Sequence, residues 1–481
     1  MEKKLGLKAI NATKWSTITE GIAKIVVPIT NMILARIVTP KAFGVVATVT
    51  MIISFVDMLS EAGFQKYLIQ NNFKSEKEKY DTANVAFWSN FFISVVLLIL
   101  IIIFRNGIAN LVGNPGLGHV IAIASIQLII TSFSSIQIAL FKRDLNFKNL
   151  FIARMFAICV PFLVTIPLAL NGFEYWSMII GSIIIQISTS IILTIRSKWK
   201  PKIFFEFDIL KKMFSFGSWS LIESISVWLS VWIDVLIIGS AFNDYYLGLY
   251  KTTTSMVSTV LMLITSIILP VFFSVLSRLQ HDEKGFNKIF YKTQKMIAIF
   301  VLPLGTGIFL YSKLATQLLL GSQWIMASEI VGITSLTISL KIVLGDICSE
   351  VYRAKGQPKL SFKVQILHLI LLIPTCIISS KYGFWVFVYA RALIRLQFIV
   401  VHLIVVDKKF GISIKNIIKN IKSVVISTII MSCVVILLKE IDNNLIWQII
   451  SIIVASFIYF IILYSFKSIK EDIKYIRSLI N

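Results

Sequence analysis

Apolar positions in this chain do not alternate with polar ones; they run on. Isoleucine, leucine, valine and phenylalanine dominate fourteen stretches, near 14–36, 42–66, 83–104, 117–140, 150–170, 174–194, 214–239, 245–275, 292–312, 325–350, 361–380, 384–405, 421–438 and 445–466, with short polar connections between them. About twenty apolar residues is the length of α-helix that crosses ~30 Å of hydrocarbon. Inside lipid every backbone N–H and C=O must be paired within the segment, so runs of this kind form helices. The pattern predicts an all-α polytopic membrane protein with about fourteen transmembrane helices. Composition agrees: 57% of the 481 residues are hydrophobic and 15% charged, with a mean hydropathy of +0.85. A soluble domain carries roughly 25% charged residues. The basic N-terminus leads directly into the first span, with no short apolar core and small-residue cleavage site of a removable leader.

The net charge of +23 changes the picture by its placement. A nucleic-acid binder would gather its bases on one face of a soluble domain; here they occupy short connections, so nucleic acid is not an expected partner. One alternating set comprises the N-terminus, 70–82, 141–149, 195–213, 276–292, 351–363, 406–422 and the tail, and it holds 32 Lys and Arg; the other set holds 6. The positive-inside rule then places both termini in the cytoplasm of a cell-membrane protein and calls for an even number of spans. Two basic segments carry isoleucines at helical spacing, Ile412, Ile414, Ile417, Ile418 and Ile421, and in the tail Ile469, Ile473, Ile476 and Ile480. They are expected to lie as amphipathic helices on the inner leaflet.

The sequence repeats itself. A shift of 204 residues aligns 15–59 with 219–263 without a gap and gives thirteen identities in 45 positions, among them Trp15/Trp219, Ser16/Ser220, Gly44/Gly248, Thr48/Thr252, Thr50/Thr254 and Ser54/Ser258. Spans 1–2 thus correspond to spans 7–8. Six spans separate the copies, so both have the same orientation, as in transporters built from parallel repeats. The expected organisation is two pseudo-symmetric six-helix lobes plus two C-terminal helices: 1–194 (spans 1–6), a basic linker at 195–213, 214–405 (spans 7–12), and 406–481 with spans 13 and 14.

No phosphate loop, H-E-x-x-H or D-x-D pattern occurs, and the base-poor connections are too short for a catalytic domain, so the chain is not expected to be an enzyme. The four cysteines, Cys159, Cys348, Cys376 and Cys433, all fall in spans without C-x-x-C spacing and are expected to be reduced core residues. The chemical signal is charge within spans, where a mid-bilayer ion costs about 2.5–3.5 kcal/mol and faces a cavity or a partner. Lys14, Lys66 and Lys295 lie near span ends and can snorkel. Lys24, Lys251, Lys341, Arg391 and Arg395 lie deeper, with Arg154 about one turn inside span 5. This excess of bases points to an anionic group such as a phosphate or pyrophosphate, which Arg holds bidentately and Lys as a point charge. The acids Asp57, Glu61, Glu223 and Asp234 are candidates for pairing with these bases or for carrying a coupling ion; structural pairing to neighbouring helices is the competing reading for every one of these residues. Pro28, Pro161, Pro167, Pro270, Pro303 and Pro374 lie inside spans and can kink them.

Three segments resemble a known family. Ile33–Ala47, with Arg36 and Thr39-Pro40-Lys41-Ala42-Phe43-Gly44, is similar to the span 1–2 hinge of oligosaccharide flippases; so are Glu61-Ala62-Gly63-Phe64 with Leu68-Ile69-Gln70, and Phe141-Lys142-Arg143-Asp144-Leu145-Asn146-Phe147-Lys148 after span 4. These belong to the multidrug/oligosaccharidyl-lipid/polysaccharide exporter superfamily, and the pattern is that of its lipopolysaccharide, colanic-acid and teichuronic-acid branch. Lys41-Ala42 departs from the acidic pair of many relatives, at a loop position. The resemblance implies two lobes around a cationic cavity and alternating access. It implies a cargo of undecaprenyl-pyrophosphate-linked oligosaccharide, flipped from the inner to the outer leaflet for cell-surface polysaccharide or lipopolysaccharide biosynthesis. It implies no cofactor other than a coupling proton or sodium ion. The partners implied are the lipid-linked oligosaccharide, membrane lipid, and a polysaccharide polymerase and glycosyltransferases. A cation-coupled multidrug exporter of the same superfamily would line its cavity with acids. A polytopic polymerase would need a long outer loop.

The charge bias sets a topology that labelling can read. In a cysteine-free background, Asn243→Cys and Lys381→Cys should react with an impermeant thiol reagent added outside the cell, and Lys284→Cys and Lys408→Cys should not. The reverse pattern would overturn the orientation.

Overall fold

The computed structural model describes residues 2–61, 63–442 and 444–471, and among these the secondary structure is helical throughout. Among the described residues fourteen helices are long and apolar enough to cross a membrane: Asn11–Ile37, Pro40–Glu61, Glu76–Leu111, Gly118–Arg143, Phe147–Leu170, Glu174–Arg196, Ser220–Ala241, Asp244–Ser266, Glu283–Leu310, Ser322–Ala354, Lys359–Ser380, Phe384–Phe410, Ile414–Lys439 and Leu445–Ser465. They are numbered spans 1–14. The chain is a multi-pass membrane protein.

Every expected span has its helix, and the differences lie at the ends. Span 2 stops at Glu61, short of the expected 66, because Gly63 takes a left-handed φ of 79° and its Cα faces the backbone of Gly217, where a side chain would overlap. A separate short helix, Phe64–Gln70, follows. The span 3 helix, Glu76–Leu111, extends 36 residues. At 1.5 Å per residue it outruns the hydrocarbon and projects beyond it.

By packing, the chain forms two compact units, Met1–Thr252 and Thr253–Asn481. The boundary falls inside the helix Asp244–Arg278, past the basic linker, because span 7 packs on span 2, on Phe64–Gln70 and on span 3. This division by packing differs from the division by repeat, which concerns equivalence along the chain. The linker itself is docked. Trp199 is buried and donates its indole N–H to Asn84 Oδ1 (3.1 Å), the Lys202 N–H reaches the same oxygen (3.0 Å), and Trp88 donates to the Lys202 carbonyl (2.8 Å). Two of the family-like segments also meet here: the Arg143 guanidinium donates to the carbonyls of Leu68 (2.8 Å), Ile69 (3.2 Å) and Asn71 (2.6 Å). It thereby satisfies carbonyls left open at the end of the Phe64–Gln70 helix.

The repeat is visible in the helix boundaries of the first unit. The span 1 helix ends at Ile37 and span 2 begins at Pro40; the span 7 helix ends at Ala241 and span 8 begins at Asp244, the same break displaced by 204 residues. The break is capped alike in both copies: Thr39 Oγ1 accepts from the Ala42 N–H (3.3 Å), and Asn243 Oδ1 from the Tyr246 N–H (3.1 Å). The glycines are reciprocal. A Cβ on Gly44 would overlap the Asp244 carbonyl, and a Cβ on Gly248 would overlap the carbonyl of Pro40, the residue equivalent to Asp244. Gly113 and Gly239 pack backbone to backbone at the same end, and Asn114 Nδ2 donates to Thr48 Oγ1 at 3.1 Å.

The second unit has a core drawn from spans 8–14, including Phe286, Phe290, Val301, Val343, Tyr352, Val364 and Val424. Spans 13 and 14, outside the repeat, are fastened to span 9: Tyr459 donates to the Ile299 carbonyl (2.8 Å), and the Tyr311 and Ser451 hydroxyls are 2.6 Å apart. The isoleucine segment at 412–421 does not form a separate amphipathic helix, for it runs into the first turns of the continuous span 13 helix, Ile414–Lys439. Gly411 turns the chain at φ 67°, and Ile412, Ile417 and Ile421 are buried in this core as span 13 begins; Ile418 faces outward. The isoleucine spacing marked a core-facing stripe, a pattern that sequence cannot tell from a lipid-facing one. In the tail Ile469 is buried in the same core, and Ile473, Ile476 and Ile480 lie outside the described residues. Cys348 and Cys376 are buried as expected, whereas Cys159 and Cys433 lie on exposed faces of their spans; all four are free thiols.

The reciprocal contact gives a stability prediction. Gly44→Val and Gly248→Val should each lower stability by about 1–3 kcal/mol through overpacking against backbone that cannot step aside. Gly21→Ala and Gly107→Ala, where no atom lies within 4 Å of an added Cβ, are the controls. Thermal unfolding in detergent checks this, and equal midpoints for all four would contradict it.

Candidate functional site

Span 10 begins at Ser322 with a 3₁₀ turn, runs as α-helix through Lys341, and packs along span 12. Lys341 lies one turn past Thr337, whose hydroxyl accepts from Arg395, and Arg391 lies one turn before Arg395 on span 12, so the packing of spans 10 and 12 brings the three bases into one neighbourhood. Arg395 is 8% exposed, and its guanidinium donates to Thr337 Oγ1 at 2.9 Å. The Lys341 ammonium sits 2.5 Å from Asp346 Oδ1 and 4.8 Å from the centre of the Phe398 ring. Phe398 lies between two imidazoles, with its ring centre 5.1 Å from His368 and 4.2 Å from His402. His368 Nδ1 meets Gln397 Oε1 at 2.9 Å, and His402 Nδ1 meets the Tyr352 hydroxyl at 2.9 Å. The histidines were not among the expected site residues. Their signal was present, since three of the four histidines, His119, His368 and His402, fall within spans.

In the first unit the expected bases make separate contacts. Lys24 lies 3.8 Å from Glu20 on its own helix. Lys251 donates to the Val231 carbonyl at 3.0 Å, with its ammonium 4.1 Å from the Trp232 ring centre. Carbonyl and indole face both stabilise the ammonium. Arg154 is exposed and borders a cleft of about 330 Å³ with Asn31, Pro161, Thr165 and Ser182.

Among the acids, Asp57 accepts from the Thr131 hydroxyl (2.8 Å), and Glu61 accepts from Gln65. Glu223 pairs at 3.9 Å with Lys66, a residue whose sequence position suggested only snorkelling. Asp234 is buried, and its Oδ1 accepts the Val235 N–H at 3.0 Å. The acids found on Lys24 and Lys341 are Glu20 and Asp346, outside that set of four. Among the described residues no group of three or more His, Cys, Asp and Glu is placed to hold a metal ion.

Fourteen spans, an internal repeat and span-embedded bases define a polytopic membrane protein built on two copies of one helical motif. A family model described as "Polysaccharide biosynthesis protein" matches residues 33–329, and the chain belongs to that family. It is 22% identical to the lipopolysaccharide biosynthesis protein WzxC of Escherichia coli K12, over 78% of this chain and 75% of that protein. It is 22% identical to the succinoglycan biosynthesis transport protein ExoT of Rhizobium meliloti, over 67% of this chain and 65% of that one. In fold it is similar to the lipid II flippase MurJ in an inward closed conformation, with a TM-score of 0.76 at 18% identity, over 97% of this chain and 99% of that chain.

The buried contact of Arg395 yields a prediction. Thr337→Val removes an acceptor from a buried guanidinium and should cost about 1–2 kcal/mol, lowering Tm by about 2–4 °C. Thr337→Ser, which keeps the hydroxyl, should unfold with the wild type. Equal midpoints for the Val and wild-type proteins would show that Arg395 does not draw on Thr337.

Proposed function

We propose that this protein is a flippase, not an enzyme, which carries a polyprenyl-pyrophosphate-linked oligosaccharide from the cytoplasmic to the outer leaflet of the cell membrane, by alternating access, for assembly of a surface polysaccharide. The observation that carries this reading is the grouping of Lys341, Arg391 and Arg395 on the packed spans 10 and 12, with Arg395 held on Thr337, in a member of the polysaccharide biosynthesis family. Moving phosphate charge through hydrocarbon is prohibitive. Cations already solvated inside the protein lower that barrier without dehydrating at the moment of transport. Lys24, Lys251 and Arg154 serve the same anion at other points of its path, and charge spread over several residues keeps binding reversible. Asp57, Glu61, Glu223 and Asp234 are the candidates for charge pairing or for a coupling proton or sodium ion. The relatives named for lipopolysaccharide and for succinoglycan serve different polymers, which favours recognition of a shared lipid-pyrophosphate over recognition of one sugar sequence. An acid-lined exporter of cationic drugs is disfavoured by the same three bases.

The test is a charge-removal series at matched expression: Lys24→Ala, Lys251→Ala, Lys341→Ala and Arg391→Ala. Loss of a charged hydrogen-bond partner worth about 1.5–3 kcal/mol should reduce surface polymer about tenfold or more, with lipid-linked intermediate accumulating on the inner leaflet. Unchanged polymer in all four variants would overturn the assignment of these residues.

A further inference from the structure

Span 10 is not a continuous α-helix. It widens into a π-helical turn at Ile342–Asp346 and resumes as α-helix at Ile347. A second such turn, Pro161–Thr165 in span 5, has an evident cause: proline lacks an N–H and crowds the carbonyl four residues back. No proline lies in or beside Ile342–Asp346, so nothing in the covalent chain imposes the turn there. Its effect is local. In a regular α-helix a residue five positions on lies about 140° around the axis, out of reach. A turn widened to i→i+5 bonding carries that residue back over the first. Lys341 and Asp346 are such a pair, and their charged groups touch at 2.5 Å. Gly345, in the same turn, is packed against Phe398, whose ring would lie 3.1 Å from an added Cβ. That ring also faces the Lys341 ammonium at 4.8 Å. The turn, the ion pair and the ring form one arrangement.

The pair is also reachable. The side chains of Lys341 and Asp346 are 30% and 26% exposed, unlike a pair sealed in a core. Glu350, one turn on, is engaged by Arg353 at 2.6 Å. Asp346 is therefore the carboxylate stationed on the cation that belongs to the cluster.

We propose that Asp346 is a placeholder for the anionic head group: it neutralises Lys341 while the site is empty and gives up the ammonium to a phosphate oxygen when the lipid-linked substrate arrives. This rests on the flippase reading above. A lysine ammonium is a compact charge on a flexible stem, and it can swing between two oxygen anions without losing its charge. Carboxylate and phosphate compete for the same N–H donors. The competition weakens binding enough for release and spares Lys341 an uncompensated charge between cycles. Asp346 is a positioning residue, acting through Lys341 and not on the substrate.

The experiment measures inorganic pyrophosphate binding to the purified full-length protein in nanodiscs, by calorimetry, for wild type, Asp346→Asn, Asp346→Ser, Lys341→Gln and the Lys341→Gln/Asp346→Asn double variant, with elution profiles confirming folding. Removing the competing carboxylate should tighten binding about fivefold or more in both Asp346 variants. That gain should vanish in the double variant, and in cells Asp346→Asn should retain the lipid-linked intermediate and export less polymer. A merely structural ion pair would give no gain in pyrophosphate affinity. Wild-type binding that folded Asp346 variants leave unchanged or weaken would overturn the placeholder alone. Absence of binding in every folded protein, wild type included, would overturn the placeholder together with the anion-site reading beneath it.

Discussion

Charge inside hydrocarbon is the constraint from which the rest of this molecule follows. An ion there must keep a counter-ion, a dipole or water at its side, because bare transfer is too unfavourable to survive folding. The span-embedded bases show three solutions. Lys341 has a carboxylate and a ring face, Lys251 a backbone carbonyl and an indole, and Arg395 a hydroxyl in a nearly closed setting. Under the proposed function, a mobile phosphate would replace or join partners of this kind. The same rule, applied to backbone groups, forces the helices themselves, and it accounts for the Arg143 guanidinium collecting the carbonyls at the end of Phe64–Gln70.

The second organising feature is close backbone approach. Gly44 and Gly248 let the starts of spans 2 and 8 meet backbone to backbone, and their contacts fall on residues that are themselves equivalent under the 204-residue shift. A contact made of backbone and short polar caps lacks interlocking side chains that would have to be pulled apart. Under the alternating access proposed above, such a contact would suit an end that separates and rejoins better than an interdigitated core would.

The fold was largely readable because membrane insertion writes itself into long apolar runs. All fourteen helices follow from that pattern, and the repeat could be seen because Trp, Gly, Thr and Ser matches stand out against an apolar background. What escaped depends on which face of a helix meets what. The isoleucines at 412–421 have the spacing of a leaflet-bound helix and of a buried stripe alike. The docking of Trp199 joins residues more than a hundred positions apart, and the π turn that brings Asp346 to Lys341 has no proline or glycine-pair signature to announce it. For the site, depth within a span singled out Lys341, Arg391 and Arg395 as candidates, but it could not say which of them lie near one another or which acid answers which base. Glu223 meets Lys66, and the carboxylate on Lys341 lies five residues along its own helix, where regular α-helical geometry would have placed it on another face.

The central claim, that these spans carry a polyanionic lipid head group across the bilayer, is tested most directly by reconstitution. Purified protein would be placed in liposomes holding a fluorescent polyprenyl-pyrophosphate oligosaccharide in both leaflets, and an impermeant quencher added outside. The account predicts that wild-type protein lets the quencher consume the initially protected inner-leaflet fraction, while a Lys341→Ala/Arg391→Ala double variant leaves most of it protected. A protected fraction that persists with folded wild-type protein under every ion gradient supplied, or that is lost equally with the double variant, would contradict it.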